Sequence, residues 1–195
     1  MVKKNKTTRI GVFGGTFNPI HYGHLVLAEQ AYEKLNLDRV LFIPSFKPPH
    51  KSSQNIAEAR HRFEMVKIAI KANRRFQLSD IEIKRQGRSY LVDTLRQLSS
   101  IYPNAQLFFI SGSDTAGQMV KWKSIEEVLS LARFILAKRP GYQLKKYSNK
   151  ISVISITELD ISSSMIRRRI RMGKSVNYLM PPAVIKYIQR NKLYL

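Results

Sequence analysis

Along the chain, short apolar runs alternate with longer segments in which apolar residues recur every three or four positions. The short runs predict β-strands, and the longer segments predict amphipathic helices. The predicted strands span residues 9–17, 39–44, 76–84, 106–111, 134–137 and 151–156. The predicted helices span residues 24–37, 57–73, 90–101, 124–132, 163–172 and 181–191.

Strands that alternate with helices in this order predict an α/β protein with a doubly wound parallel sheet. The 195 residues fit a single domain, with a core at about residues 9–160 and a small C-terminal helical extension at about 161–195. Ligands of such sheets bind beyond the carboxyl ends of the strands, near the point where the strand order reverses. A glycine turn follows the first predicted strand at such an end, so we expect a binding site there.

Composition and charge restrict the chemistry. No apolar run approaches the roughly 20 residues of a membrane span, and the basic N-terminus does not resemble a secretory signal. We therefore expect a cytoplasmic protein without a membrane partner. The absence of cysteine excludes disulfides and thiolate chemistry. A net charge of +21 favours polyanionic partners, so non-specific binding of nucleic acid is expected as a side effect. Composition leaves the oligomeric state open, and a homo-oligomer is compatible with it.

The stretch GVFGGTFNPIHYGH, residues 11–24, combines a glycine turn with two histidines. Gly14 and Gly15 allow backbone amides to approach a phosphate closely, because no side chain intervenes. His21 and His24 share a face at the start of a helix, whose N-terminus adds free N–H groups and partial positive charge. Such groups can stabilise charge that develops on a transferring phosphate. A plain strand–turn–helix with surface histidines is the alternative, and the full spacing favours the phosphate site.

A second segment is a basic loop at residues 44–51, PSFKPPHK. Its three prolines stiffen the backbone, and it presents Lys47, His50 and Lys51 near the end of the first strand. A solvated basic loop is the ordinary explanation of such a run. Phosphate binding is the functional alternative.

The remaining segments contain hydroxyl groups, arginines and one large aromatic residue. In ISSSMIRRRIR, residues 161–171, serines at a helix start cap the helix or bind phosphates, and arginine forks bind phosphate oxygens. Arg167 lies in the first turns, while the later arginines fit a solvated face. The segments GRSYLVDT at 87–94 and GSDTAGQMVKW at 112–122 include Trp122, the single tryptophan, which can stack on a flat ring or fill the core.

Together these segments resemble the nucleotidyltransferase superfamily with the pattern (T/S)-x-x-H-x-G-H, which joins a phosphate monoester to ATP or CTP. The longer match, over residues 11–188, is similar to the bacterial nicotinate-mononucleotide adenylyltransferases. Its further motifs are P-x-x-x-P-P-H-K, a Ser-Tyr segment, Gly-x-Asp with a later Trp, and I-S-S-T-x-I-R. The resemblance implies a Rossmann-like nucleotidyltransferase fold and the transfer of AMP from ATP to nicotinate mononucleotide, giving deamido-NAD and pyrophosphate.

The resemblance also implies three sets of site residues. The catalytic set comprises His21, His24, Lys51 and Arg167. The ATP-binding set comprises Gly14, Gly15, Thr16, Phe17, His21, His24, Gly112, Asp114, Ile161, Ser162, Ser163, Ser164 and Arg167. The set for nicotinate mononucleotide comprises Thr16, Lys47, His50, Lys51, Ser89, Tyr90, Leu91 and Trp122. Mg²⁺ is expected to bind mainly through the ATP phosphates, with no protein ligand assigned.

Five positions depart from the family pattern, and the changes at Ser113 and Val120 are minor. Asn18 replaces the commoner Asp, Ser164 replaces Thr but retains the hydroxyl, and Leu91 stands where Thr is usual. The change at Leu91 has little effect if backbone amides recognise the nicotinate carboxylate, and it weakens the preference for acid over amide if a hydroxyl does so. Transfer to the amide form, nicotinamide mononucleotide, is therefore the alternative reaction.

Other classes agree less well with the motifs. Phosphopantetheine adenylyltransferase shares the first motif but not the Pro-Pro-His-Lys loop, and cytidylyltransferases carry an Arg-Thr-x-Gly run where this chain has Glu-Leu-Asp at 158–160. A basic nucleic-acid-binding protein is the alternative from a different class, although no RRM or KH motif is present. The chain has no evident Ser-His-Asp or Cys-His set. The proposed acceptor needs no such base, because a phosphate monoester is largely dianionic at neutral pH.

Overall fold

The computed structural model of the protein describes residues 7–49, 56–112, 122–138, 151–157 and 159–195. The strands in these ranges are β1 Thr8–Gly15, β2 Arg39–Pro44, β3 Phe76–Leu78, β4 Ala105–Gly112, β5 Arg133–Lys138 and β6 Ile151–Ser155. The helices are α1 Tyr22–Lys34, α2 Ala59–Ile70, α3 Ile81–Arg85, α4 Leu91–Ile101, α5 Ile125–Leu131, α6 Ser163–Arg171 and α7 Pro182–Arg190.

The six strands form one parallel sheet in the order β3-β2-β1-β4-β5-β6. The order reverses between β1 and β4, which are paired so that Val12 lies beside Phe109. On the other side of β1, Gly15 lies beside Pro44 of β2. The carboxyl ends of these central strands therefore meet at one edge, and the predicted doubly wound parallel sheet is confirmed.

Both faces of the sheet are buried, so successive residues of a strand pack on opposite sides. In β1, Ile10 and Val12 belong to an apolar cluster that includes α4 and α5. Phe13 belongs to a second cluster, which includes residues of α1, α2, α6 and α7. Because Ile166 of α6 and Val184 of α7 lie in that second cluster, the C-terminal helices share the core of the sheet. No helix in the described ranges is both long and apolar enough to cross a bilayer.

One predicted element is wrong in its second half. The alternation at 76–84 predicts a strand, but the strand ends at Leu78 and the helix α3 follows. The backbone turns at Ser79, whose Oγ accepts a hydrogen bond from the N–H of Ile81. Glu82 is buried and accepts a 2.6 Å hydrogen bond from Thr94 of α4, and this burial raises the pKa of its carboxyl group. A short alternating run fits a strand and a single helical turn equally well, and contacts with α4 decide between them.

Gly11 of β1 provides a test of the packing between sheet and helices. A Cβ atom on Gly11 would lie 2.7 Å from Cδ1 of Leu37 and 3.0 Å from Cδ1 of Ile110. We expect Gly11→Ala to lower the free energy of unfolding by about 1–2 kcal/mol, the usual cost of overpacking a core. Gly14→Ala is the matched control, since its Cβ would make an ordinary 3.5 Å contact with Phe109. Urea unfolding measures both, and equal midpoints for the two variants would contradict the prediction.

Candidate active site

A cavity of about 550 Å³ lies at the carboxyl edge of the sheet, beside the point where the strand order reverses. Its walls come from the ends of β1, β4 and β5, the first turn of α1, and the segment that leads into α6. Cavities of this size and position are typical of ligand sites in doubly wound sheets.

The turn after β1 places the ring of Phe17 in the wall of the cavity. Phe17 is buried and has a positive φ of 45°, which is unusual for a bulky residue. Its ring lies edge-on to that of His24, with the centroids 5.2 Å apart. A Cβ on Gly15 would lie 3.0 Å from the Phe17 ring, a tight contact, so glycine at this position gives the ring room.

The two histidines lie together at the N-terminus of α1. Their ring centroids are 3.7 Å apart, and both side chains line the cavity. The intervening Gly23 permits this, because a Cβ there would lie 3.1 Å from the His21 ring. The backbone N–H of His21 donates a 3.2 Å hydrogen bond to Nδ1 of His24. With Nδ1 accepting, neutral His24 carries its proton on Nε2, an assignment that follows from the hydrogen bond. His24 therefore has an N–H donor on the nitrogen that this bond does not use.

The start of α6 forms the opposite wall. Ser162 is the N-cap, and its Oγ accepts a hydrogen bond from the N–H of Met165. Ser163 donates a 2.8 Å hydrogen bond to the carbonyl of Pro19, which joins α6 to the turn before α1. One amino group of Arg167 donates to the carbonyl of Asn18 at 2.9 Å. Burial lowers the pKa of Arg167, and its Nε is buried with no hydrogen-bond partner in the described part of the chain.

The charge around the cavity favours anions. Among the described residues that line it, none carries a carboxylate, whereas Arg167 and two imidazoles face it. The helices α1 and α6 both begin there, and neither has an acidic residue in its first turn. A helix N-terminus carries partial positive charge and free N–H groups, so the two ends reinforce each other. Within the described ranges, no group of three or more His, Cys, Asp or Glu side chains is placed to hold a metal ion.

Twelve of the thirteen residues predicted to contact ATP line this one cavity, and their contacts with ATP stay predictions. They are Gly14, Gly15, Thr16, Phe17, His21, His24, Gly112, Ile161, Ser162, Ser163, Ser164 and Arg167. The thirteenth, Asp114, lies outside the described residues, as do His50 and Lys51.

Most of the residues predicted to contact the mononucleotide do not line this cavity. Thr16 lines the cavity, whereas Lys47, Ser89, Tyr90, Leu91 and Trp122 are not among its lining residues. The loop after β2 and the segment before α4 are nevertheless joined. Lys47 forms a bridge with Arg88, and the N–H of Ser89 donates to the Lys47 carbonyl at 2.9 Å.

Two further residues of this set, Trp122 and Leu91, pack against the apolar cluster that includes α4. The Trp122 ring packs against Phe109 and Phe134, with centroids 6.0 and 5.8 Å apart, which agrees with a structural role at the edge of the core. Phe109 is also the residue that a Cβ on Gly14 would touch. Leu91 opens α4. These residues therefore lie on the other side of the glycine turn from the histidines.

Arg62 of α2 is an important residue that the sequence analysis missed. Its side chain is only 1% exposed and donates hydrogen bonds to three main-chain carbonyls, those of Ala57 at 2.9 Å, Thr16 at 2.8 Å and Phe46 at 3.0 Å. Burial lowers its pKa to about 10. Thr16 and Phe46 belong to the two loops with predicted substrate contacts, so Arg62 holds these loops together. The available signal was an arginine on the apolar face of a helix, three residues before the buried Met65.

Comparison with known proteins shows close relatives. The model of the cytidylyltransferase-like family matches residues 12–169. The chain is 43% identical to a probable nicotinate-nucleotide adenylyltransferase of Desulfitobacterium hafniense strain Y51, over 95% of each chain. It is 41% identical to the nicotinate-nucleotide adenylyltransferase of Bacillus subtilis strain 168, over 95% of this chain and 98% of the relative.

Solved structures agree on the fold. The nicotinic acid mononucleotide adenylyltransferase of Plasmodium falciparum complexed with NaAD superposes with a TM-score of 0.81 at 23% identity, covering 96% of this chain and 97% of that one. The same protein complexed with APC gives a TM-score of 0.79 at 22% identity, with the same coverage. At this identity the likeness shows a shared fold.

The role of Arg62 can be tested through stability. Arg62→Met retains the length of the side chain but leaves three buried carbonyls without their donor, so we expect a loss of about 3 kcal/mol in the free energy of unfolding. Arg60→Met is the matched control two positions earlier. The Arg60 side chain is 74% exposed and pairs with Glu58, so its loss should change stability by about 0.5 kcal/mol or less. Urea unfolding of the two variants measures the difference, and similar midpoints would exclude the assigned role.

Proposed function

Because the chain belongs to the cytidylyltransferase-like family and, within it, to the nicotinate-nucleotide adenylyltransferases, we propose that it transfers AMP from ATP to nicotinate mononucleotide. The products are deamido-NAD and pyrophosphate. The observation that carries this proposal is the cavity in which two histidines at the start of α1 face Arg167 and the start of α6. Such a cavity suits a polyphosphate held between two helix N-termini.

The reaction needs alignment and charge stabilisation rather than a strong base. The phosphate oxygen of the mononucleotide is already largely ionised at neutral pH and can attack the α-phosphorus of ATP directly. A new oxygen–phosphorus bond forms, the bond between the α-phosphorus and its bridging oxygen breaks, and pyrophosphate leaves with the electron pair. Catalysis then depends on holding the two substrates in line and on stabilising negative charge.

We assign the predicted residues to these tasks. His21, His24 and the N-terminus of α1 stabilise the transferring phosphate, and we assign the Nε2–H group of His24 as one donor, since its Nδ1 accepts from the His21 backbone. Arg167 and the serine-rich start of α6 bind the leaving pyrophosphate. Lys51, outside the described residues, is assigned to the same phosphates by its motif alone.

Mg²⁺ fits this assignment as a group bound mainly through ATP. The described lining of the cavity has no carboxylate, and Mg²⁺ at nucleotide sites commonly keeps several waters and binds phosphate oxygens. When bound, the ion supplies charge neutralisation on the triphosphate. Arg167 supplies positive charge from the protein itself, and His21 and His24 supply hydrogen-bonding groups.

The proposed substrates and the net charge support two further expectations, a cytoplasmic location and weak binding of nucleic acid. ATP is a cytoplasmic metabolite, and this supports a cytoplasmic location. The net charge of +21 supports weak binding of nucleic acid as a side effect, which should weaken steeply as salt rises.

Release of pyrophosphate tests the reaction and the acceptor together. The protein is incubated with ATP, Mg²⁺ and either nicotinate or nicotinamide mononucleotide. We expect kcat/KM to be at least about tenfold higher for the acid, the scale of discrimination that a charged group supplies. A higher value for the amide would favour the alternative reaction, equal values would contradict the preference for the acid, and no pyrophosphate from either acceptor would refute the proposal.

The histidine pair provides a test of mechanism. His24→Ala removes a donor from the transferring phosphate, so kcat should fall by about 10²-fold or more. His61→Ala is the control, because His61 is not among the lining residues of the cavity and instead contacts the Tyr187 hydroxyl at 3.0 Å. Near-normal turnover by the His24 variant would remove this residue from the mechanism.

A further inference from the structure

The segment after α7 contacts a residue of the cavity wall through Tyr194. Its hydroxyl donates a 2.8 Å hydrogen bond to Oδ1 of Asn18, a residue 176 positions earlier in the chain. The chain turns back directly after the helix, since the N–H of Leu193 bonds to the carbonyl of Ile188. Tyr194 itself has a φ of 68°, a conformation that aromatic residues adopt rarely. Burial raises the pKa of Tyr194, so its hydroxyl remains a donor at neutral pH.

Asn18 connects this tyrosine to the active site. The residue is 5% exposed and lines the cavity. Its side-chain oxygen accepts from two donors, the Tyr194 hydroxyl and the backbone N–H of Ala57 at 3.0 Å. Its main-chain carbonyl accepts the 2.9 Å hydrogen bond from Arg167. The position of the Asn18 carbonyl, and thereby of the Arg167 guanidinium, depends on how the Asn18 side chain is held.

Asn18 leaves the positive charge of Arg167 uncompensated. Both acceptor atoms that it offers are neutral, so Arg167 is held in position without an ion pair through this residue. The buried Nε of Arg167, which has no partner within the described ranges, agrees with a guanidinium kept available for an anion. The tyrosine hydroxyl is thus a neutral support for a charged side chain.

We propose that Tyr194 is a positioning residue, which acts through Asn18 to hold the Arg167 guanidinium where it binds the phosphates of ATP. This inference rests on the proposed function, since the role of Arg167 is assigned there. The competing explanation is that Tyr194 only anchors the end of α7 against the sheet. An anchor contributes to stability and leaves the affinity for ATP unchanged, whereas a positioning residue changes that affinity in a protein that is still folded.

Tyr194→Phe removes the hydroxyl and keeps the ring. Tyr178→Phe is the matched control, because Tyr178 is 91% exposed and also has a positive φ. We expect Tyr194→Phe to raise both the Kd for ATP without acceptor and the KM for ATP by about tenfold, the scale of one misplaced hydrogen bond to a charged group. The KM for nicotinate mononucleotide should stay within about twofold, and Tyr178→Phe should match the unaltered protein. A lower thermal midpoint with an unchanged Kd for ATP would overturn the proposal.

A double-mutant cycle tests whether the effect passes through Arg167. In an Arg167→Lys background, ATP already binds without the guanidinium fork, so adding Tyr194→Phe should change the Kd by less than about twofold. A further tenfold loss there would mean that Tyr194 acts on ATP by another route, and the proposal would fail.

The two proposals fail in different ways. If the unaltered protein binds ATP but releases no pyrophosphate with either mononucleotide, the proposed reaction is wrong, and the binding comparison alone decides the role of Tyr194. If the unaltered protein does not bind ATP, both proposals are overturned.

Discussion

The guanidinium of Arg62, buried among three main-chain carbonyls, is the contact on which the cavity depends. A buried cation is costly unless hydrogen bonds replace its hydration. Here carbonyl dipoles replace it, and because they come from three separate segments, the same bonds hold those segments together. The lowered pKa of Arg62 records the remaining cost of burial. Since the carbonyls are neutral, the site gains a fixed geometry without gaining negative charge.

A second arginine, at the start of α6, is also held by a neutral carbonyl group. Arg167 is held by the carbonyl of Asn18, and the Asn18 side chain is held by the Tyr194 hydroxyl and a backbone amide. A site that brings together two phosphate-bearing substrates must offset the repulsion between them. Neutral supports for the arginines, together with two helix N-termini free of acidic residues in their first turns, leave the positive charge available for that purpose.

Small residues determine how closely the reactive groups approach. Gly15 leaves room for the Phe17 ring, and Gly23 leaves room for the ring of His21. As a result the two imidazole rings lie with their centroids 3.7 Å apart and tilted by 35°, next to the Phe17 ring, and a backbone N–H fixes the tautomer of His24. Two glycines of the first motif therefore have a steric reason, because at Gly15 and Gly23 a side chain would press against a ring.

The sequence by itself determined the order of strands and helices, the parallel sheet, the glycine turn and the group of residues around the cavity, because each depends on local periodicity or on a short motif. It was wrong about the second half of 76–84, where a single turn is too short for its period to be distinctive. Only the tertiary structure decided that Arg62 joins three loops and that Tyr194 reaches Asn18. The carbonyls of Thr16 and Phe46 and the side chain of Asn18 lie 16 to 176 positions from their donors, so no local pattern pairs them. The bonds of Arg62 also go to main-chain carbonyls, which require no particular residue at the acceptor.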